Sequence, residues 1–120
     1  MSTNSTSAPL IVRWPGAKGN GKKANGLVEF VDIYPTLCDL AGLPVPKNLE
    51  GRSFRALLDN PAGKSKEAVF SQFLRFERNF GKNYMGYAMR TDRYRYVEWR
   101  DHKTGLTEAV ELYDHQTDPD

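Results

Sequence analysis

The amino-acid sequence predicts an α+β chain, in which a short α/β segment is followed by a small antiparallel sheet. Two observations favour this fold class: apolar residues at helical spacing after Asp32, and four successive strand-like segments in the second half. A chain of 120 residues, 39% hydrophobic and 27% charged, has the size and composition of one ordinary domain. We therefore expect one domain held together by packing.

The first predicted element is a buried strand over Pro9–Trp14, which a turn at Pro15-Gly16 closes. Residues 17–26 are rich in Gly, Lys and Asn and predict a mobile surface loop. A phosphate-binding loop is the alternative, because Gly16 is followed by Gly21 and Lys22. Lys23 stands where such a loop needs Ser or Thr, and this favours an ordinary solvated loop.

The clearest predicted helix follows Asp32, a suitable N-cap, and Gly42 is a suitable C-terminal stop. Cys38 lies inside this helix and is interpreted as a small structural side chain, because no histidine partner can be inferred for it. A second, short helix is predicted after Ser53, with that serine as its cap.

The second half predicts three or four antiparallel strands in a meander, over residues 68–76, 84–90, 93–100 and 107–113. Alternation places Arg93, Arg95, Val97 and Trp99 on one face of the third strand, and Tyr94, Tyr96, Glu98 and Arg100 on the other. An RNA-binding sheet also combines aromatic and basic residues, but its Gly-flanked aromatic pattern is not present. We expect the tyrosines and Trp99 to pack beneath a helix, with arginines at the rim.

Charge and cysteine content exclude several classes of protein. The net charge of +2 is too small to indicate a dedicated nucleic-acid domain. The single cysteine excludes an internal disulfide and a Cys-rich zinc site. No apolar stretch is long enough to span a membrane, and no secretory signal is recognisable at the start. We therefore expect neither a nucleic-acid nor a membrane partner, and the compartment stays unassigned.

Two Asp-His pairs are the remaining candidates for chemistry, Asp101-His102 and Asp114-His115. Adjacent residues on a strand point in opposite directions, so neither pair converges on one ion by itself. We interpret both pairs as solvated turns, with metal ligation as the alternative. The residues predict no catalytic, cofactor-binding or metal-ligating side chain in this chain.

Several segments together resemble the sulfatase family of the alkaline phosphatase-like superfamily. The similar stretches cover nearly the whole chain in the family's order, and they are PLIVRWPG (residues 9–16), LVEFVDIYPTLCDLAGL (27–43), LEGRSF (49–54) and ELYD with DP (111–119). MGYAMRTDRYRY (85–96) is most similar to the iduronate-2-sulfatase branch. The resemblance implies that residues 1–66 end a catalytic α/β domain and that residues 67–120 form a C-terminal antiparallel-sheet subdomain without its closing helix.

The resemblance also implies a function for a longer parent protein, which is hydrolysis of sulfate esters on uronate-containing glycosaminoglycans. Sulfatases use a formylglycine made from Cys-x-Pro/Ala-x-Arg, together with calcium, and the matching segments lie upstream of the region that this chain resembles. Cys38 departs from that motif at each required position, so we expect the 120-residue chain alone to be inactive. Parents of this family are typically secreted, periplasmic or lysosomal.

What remains for this chain, by resemblance, is a part of the substrate rim. Arg90, Arg93 and Arg95 are the candidates to approach a sugar carboxylate or a neighbouring sulfate. The alternative is that they form rim ion pairs with Glu98, Glu111 and Asp92, which we favour. We expect an uncovered sheet face to promote self-association. The rival functions are another sulfatase or phosphoester hydrolase of the superfamily, or a stand-alone basic module that binds glycans or nucleic acid.

Overall fold

A computed structural model describes residues 8–118, and these form two compact units. The first unit comprises Pro9–Glu67, and the second begins at Ala68. Helices and loops of the first unit contact one another, whereas the strands of the second pair among themselves. Each unit therefore has its own local packing, and the division falls between Glu67 and Ala68.

The first unit contains a 3₁₀ turn over Phe30–Asp32 and two helices, α1 (Ile33–Leu40) and α2 (Arg55–Asp59). Asp32 is the N-cap residue of α1, as predicted, but its side chain does not cap that helix. It accepts hydrogen bonds from the backbone N–H groups of Glu29 and Arg52, each at 2.8 Å. The carboxylate therefore ties together two loops that are distant in sequence.

Gly42 ends α1 as predicted. Its φ of +69° lies in the left-handed region, which glycine adopts readily. The backbone N–H of Leu43 donates to the carbonyl of Cys38 at 2.9 Å, and the N–H of Gly42 donates to that of Asp39 at 3.2 Å. These two bonds form a Schellman motif and satisfy the last carbonyls of the helix.

The predicted cap of α2 is displaced by one residue, because Phe54 and not Ser53 is its N-cap. The Ser53 hydroxyl donates to the Asp39 carboxylate at 2.7 Å and accepts from the backbone N–H of Arg55 at 3.2 Å. Phe54 and Leu57 are buried, as is Cys38. Ser53 therefore connects the two helices instead of capping one of them.

The predicted strand over Pro9–Trp14 is wrong, because this segment has no regular structure and Ile11 is 91% exposed. A strand needs a neighbouring strand to hydrogen-bond its backbone, and all the strands among residues 8–118 lie in the second unit. The turn at Pro15-Gly16 is present. The loop after it is anchored where the N–H of Gly19 donates to the carbonyl of Leu58 at 2.7 Å.

The second unit is the predicted meander of four antiparallel strands. Its strands are β1 (Ala68–Glu77), β2 (Lys82–Thr91), β3 (Tyr94–Asp101) and β4 (Thr107–Asp114), in that spatial order. Turns containing Gly81 and Gly105, both with positive φ, join β1 to β2 and β3 to β4. The predicted fold class, α+β with a small antiparallel sheet, is confirmed. In residues 8–118 no helix has the length and apolar character required to cross a bilayer.

The two faces of the sheet differ strongly in burial. On β3, one face is buried and carries Arg95, Val97, Trp99 and Asp101. The opposite face, called the outer face below, carries Tyr94, Tyr96, Glu98 and Arg100. This alternation was predicted. The expectation that Trp99 and the tyrosines pack beneath the same helix is wrong, since Trp99 lies on the face opposite to Tyr94 and Tyr96.

Gly86 makes the close packing of the buried face possible. It is the register partner of both Phe73 and Trp99. A Cβ atom added at Gly86 would lie 2.7 Å from the Phe73 ring and 3.0 Å from the Trp99 ring. The two rings meet edge to face over this position, with centroids 5.2 Å apart. Only a residue without a side chain fits beneath them.

Candidate functional site

The three candidate arginines lie around the β2–β3 turn. Arg90 is near the end of β2, Arg93 is in the turn and Arg95 is near the start of β3. Arg90 and Arg95 are register partners, so their side chains lie on the same face of the sheet. Arg93 was predicted to share that face of the third strand, but it precedes β3.

Arg93 forms a two-pronged ion pair with Asp114 at the end of β4. Its Nε and one terminal nitrogen donate to the two carboxylate oxygens at 2.9 and 2.7 Å. This hydrogen-bonded contact raises the pKa of Arg93 and lowers that of Asp114. The guanidinium also lies 4.8 Å from the centroid of the Tyr94 ring. Arg93 therefore fastens the turn to the neighbouring strand.

Arg95 is buried, with 7% of its surface exposed, and its guanidinium carbon lies 4.3 Å from the centroid of the Tyr113 ring. The Tyr113 hydroxyl donates to Glu111, which also accepts the Trp99 indole N–H at 2.7 Å. The hydrogen bond between these two side chains raises the pKa of Tyr113. The same bond lowers the pKa of Glu111, although burial opposes this shift. Glu111 is therefore held as a carboxylate.

Arg90 is partly exposed, and its Nε donates to the backbone carbonyl of Thr91 at 2.9 Å. Burial lowers the pKa of Arg90, as does the positive charge of Arg95, while Asp92 opposes both. Arg90 and Arg95 therefore present two cationic groups on one face. Such a pair can bind an anion, but it supplies no nucleophile and no group that exchanges protons near neutral pH.

The ion pair that the structure shows for Arg93 differs from the pairs expected for these arginines. The charge of Arg95 contributes to the lowered pKa of Glu111, and that of Asp92 opposes the lowering of the Arg90 pKa. Glu98 does not take part, because it lies on the outer face and pairs with Arg100 at 3.0 Å. Asp114, the actual partner of Arg93, was not predicted. The register of the meander could have identified it, since Asp114 is paired with Tyr94, next to Arg93.

The two histidines lie at strand ends, where their backbone N–H groups continue the sheet. The N–H of His102 donates to Asn83 at 2.9 Å, and that of His115 donates to Arg93 at 2.8 Å. The Asp101 carboxylate accepts from the backbone N–H groups of Lys103 and Thr104 and so forms a turn. Between residues 8 and 118, no group of three or more His, Cys, Asp or Glu side chains could hold a metal ion.

A second charged cluster, in the first unit, was missed by sequence reasoning. Asp32 is 1% exposed, and the Lys66 ammonium lies 2.7 Å from its carboxylate and also hydrogen-bonds to Glu29. Burial alone would raise the pKa of Asp32, but the hydrogen bonds from Lys66 and from the N–H groups of Arg52 and Glu29 lower it. Burial alone would lower the pKa of Lys66, but its hydrogen bonds to Asp32 and Glu29 raise it. Asp32 and Lys66 therefore both stay charged near neutral pH, and their ion pair has a structural role.

Comparison with known proteins identifies the family. The family model described as "N-sulphoglucosamine sulphohydrolase, C-terminal" matches residues 1–120. Arylsulfatase K of Mus musculus is 33% identical over 123 residues, which is 100% of this chain and 22% of the mouse protein. A sulfatase of Formosa agariphila is 34% identical over 117 residues, or 97% of this chain and 20% of that protein. The chain thus spans about a fifth of the length of these curated relatives.

A solved structure described as that of a 2-O glycosaminoglycan sulfatase agrees with this assignment. It is 34% identical to this chain, with a TM-score of 0.54, and the match covers 73% of this chain and 18% of the solved chain. The four-stranded antiparallel sheet with few helices therefore matches a sulfatase fold in both sequence and structure. The chain belongs to the family of sulfatase C-terminal regions defined by N-sulphoglucosamine sulphohydrolase.

Proposed function

We propose that this chain is the C-terminal part of a sulfatase that removes 2-O-sulfate from the uronate residues of glycosaminoglycans, in the manner of an iduronate-2-sulfatase. The observation that supports this specificity is the 34% identity to a solved 2-O glycosaminoglycan sulfatase. The resemblance of residues 85–96 to the iduronate-2-sulfatase branch points in the same direction. This chain would contribute a supporting subdomain to the whole enzyme.

The groups that break the sulfate ester would come from the remainder of that enzyme. Sulfatases need a formylglycine and calcium, and the described residues fit neither. Cys38 is buried inside α1 and is followed by Asp39-Leu40-Ala41-Gly42, which does not match the modification motif. The acidic and histidine side chains of residues 8–118 form no cluster of three. This chain would therefore act in binding and support.

The test of substrate specificity is to express this chain in one polypeptide with the coding sequence that precedes it. Sulfate release is then measured from uronate 2-O-sulfated, 6-O-sulfated and N-sulfated disaccharides. We expect release from the 2-O-sulfated disaccharide, at a kcat/KM at least about tenfold above the others. N-sulfate release is the second candidate, because the family model is that of an N-sulphoglucosamine sulphohydrolase. A Ser or Thr nucleophile upstream would instead indicate phosphoester chemistry.

A related prediction concerns the 120-residue chain by itself. With calcium and an aryl sulfate it should release no sulfate above background, since its single cysteine, Cys38, is buried and does not match the formylglycine motif. The assay is ion chromatography of free sulfate, with Cys38→Ala as the matched variant. Turnover that disappears in the Cys38→Ala variant would show that the nucleophile lies in this chain.

Within the whole enzyme, we propose that Arg90, Arg93 and Arg95 contribute to the rim that binds the sulfated glycan. Arg90 would contribute most, as it is the partly exposed member of the Arg90–Arg95 pair. Arg93 would contribute least, because its hydrogen bonds are directed to Asp114. Arg90→Gln is expected to raise KM for a sulfated disaccharide by about five- to tenfold with little change in kcat, because it removes binding remote from the reacting bond.

Two controls separate this role from a general loss of folding. An aryl sulfate has no sugar carboxylate to bind, so its KM should not change in the Arg90→Gln variant. Arg78→Gln, in the turn at the opposite end of the sheet, should leave both substrates unaffected. Equal effects of Arg90→Gln on the aryl sulfate and the disaccharide would contradict a role at the rim.

A further inference from the structure

The loop of residues 17–26 contains two Asn-Gly sequences, Asn20-Gly21 and Asn25-Gly26. In an Asn-Gly sequence the backbone nitrogen of the glycine can attack the asparagine side chain, because glycine has no side chain to hinder the approach. The other asparagines of the chain are followed by Ser, Leu, Pro, Phe or Tyr, whose side chains hinder the attack. These two sequences are therefore the candidate sites of spontaneous deamidation.

The side-chain amide of Asn20 is held by two hydrogen bonds to the backbone of Trp14. Its Oδ1 accepts from the Trp14 N–H at 3.2 Å, and its Nδ2 donates to the Trp14 carbonyl at 2.6 Å. The amide cannot turn towards the nitrogen of Gly21 without breaking these bonds. The fold therefore protects Asn20, although this residue is exposed.

Asn25 is equally exposed and lies outside regular structure, but its amide is not held. Among the contacts within residues 8–118, its side chain has no hydrogen-bond partner, and the N–H of Gly26 donates to no carbonyl. Exposure is thus the same at the two sites, and the hydrogen bonding of the amide is what distinguishes them. Asn25 is free to adopt the conformation that the attack requires.

We propose that Asn25 is a site of spontaneous deamidation, and that Asn20 is protected while the chain is folded. The Gly26 nitrogen forms a bond to Cγ of Asn25, the bond from Cγ to Nδ2 breaks, and ammonia leaves with the proton of the Gly26 N–H. Water then opens the succinimide ring at either carbonyl and gives aspartate or isoaspartate. The reaction needs no reagent besides water, and it does not depend on the proposed sulfatase activity.

Isoaspartate at this position would disturb α2, because Gly26 packs against that helix. A Cβ atom added at Gly26 would lie 2.7 Å from Cδ1 of Leu57, and Leu57 is only 5% exposed. Isoaspartate adds a carbon to the main chain immediately before Gly26 and so displaces the glycine from the Leu57 side chain. Aspartate changes the charge but leaves the main chain as it was.

The test is incubation of the full chain in mildly alkaline buffer, in which the backbone nitrogen loses its proton more readily. Trypsin places the two asparagines in separate peptides, residues 19–22 and 24–47, and mass spectrometry follows the conversion of amide to acid in each. Deamidation of peptide 24–47 should be about tenfold or more faster, since the hydrogen bonds of Asn20 must break first. In concentrated urea, which removes the fold, the two peptides should react at similar rates.

Asn25→Gln is the matched variant, because glutamine keeps the amide but closes the ring far more slowly. It should abolish the reaction in peptide 24–47 and leave peptide 19–22 unchanged. Equal rates for the two peptides in buffer would overturn the proposal, as would a faster reaction at Asn20 or no reaction at Asn25.

The effect on α2 is tested by hydrogen exchange of the Leu57 amide, which donates to the carbonyl of Phe54 at 2.9 Å. The chromatographically purified isoaspartate form should exchange this amide faster than the Asn25→Asp variant, which has the same charge and an ordinary main chain. If the two forms exchange it equally, the added carbon is absorbed by the loop and the proposed effect on α2 is wrong.

Discussion

Replacing Lys66 by Met is expected to destabilise the first unit by about 3–5 kcal/mol, because it leaves two carboxylates close together without their cation. Asp32 is almost fully buried, and only 11% of the Lys66 side chain is exposed, so water cannot replace the lost contact. A typical domain has a free energy of unfolding of about 5–15 kcal/mol. We therefore expect this single substitution to remove a large part of the stability of the unit.

Hydrogen exchange of the backbone amides of α1 measures this effect separately from the sheet. Protection of α1 should fall in the Lys66→Met variant, while protection of β2 and β3 should not change. Lys47→Met is the matched control, since Lys47 is exposed and its loss should cost less than about 0.5 kcal/mol. If Lys66→Met and Lys47→Met show equal protection of α1, the cluster does not stabilise the unit.

The same cluster predicts a dependence of stability on pH. The pKa of Asp32 is lower in the folded chain, so its contribution is complete above the unfolded-state pKa of about 4 and is lost as the pH falls through the folded value. The pKa of Lys66 is raised, so its contribution is lost only at strongly alkaline pH. Acid below about pH 4 should therefore remove less stability from Lys66→Met than from the wild type.

The second half of the fold could be predicted well because its signals are local. The alternation of side chains in β3 assigns its residues to two faces, and the turns join strands that are neighbours in sequence and in space. The helix α1 and its end at Gly42 likewise follow from apolar spacing and one glycine. Local periodicity is sufficient for these elements.

The errors concern features that depend on partners far away in the sequence. Pro9–Trp14 has the composition of a strand, but composition does not provide the neighbouring strand that would pair with it. Asp32 has the position of a cap, yet its side chain is directed to Lys66 and to the backbone of Arg52, which is 20 residues away. For the candidate site, the sequence pointed to the segment that carries the arginines. The Arg93–Asp114 pair could be assigned only once the register of the strands was known.

Trp99→Ala is expected to destabilise the sheet by about 3–5 kcal/mol, the usual cost of removing a large buried aromatic side chain. Trp99 is 6% exposed and contacts the Phe73 ring edge to face. Gly86 lies beneath both rings and has no side chain to fill the space, so a cavity would remain. The substitution also removes the indole hydrogen bond to Glu111, which accepts from the Tyr113 hydroxyl as well.

Two further variants separate the contributions of the ring and of its N–H group. Trp99→Phe keeps an aromatic ring and removes the hydrogen bond to Glu111, so it should cost about 1.5–3 kcal/mol, the range for a hydrogen bond to a charged group. Trp14→Ala, at a tryptophan that is 37% exposed, should cost less than about 1 kcal/mol. Urea denaturation followed by far-ultraviolet circular dichroism and by exchange of the β3 amides measures all three. If Trp99→Ala costs no more than Trp14→Ala, Trp99 is not the centre of the sheet's core, and the register that places it over Gly86 is wrong.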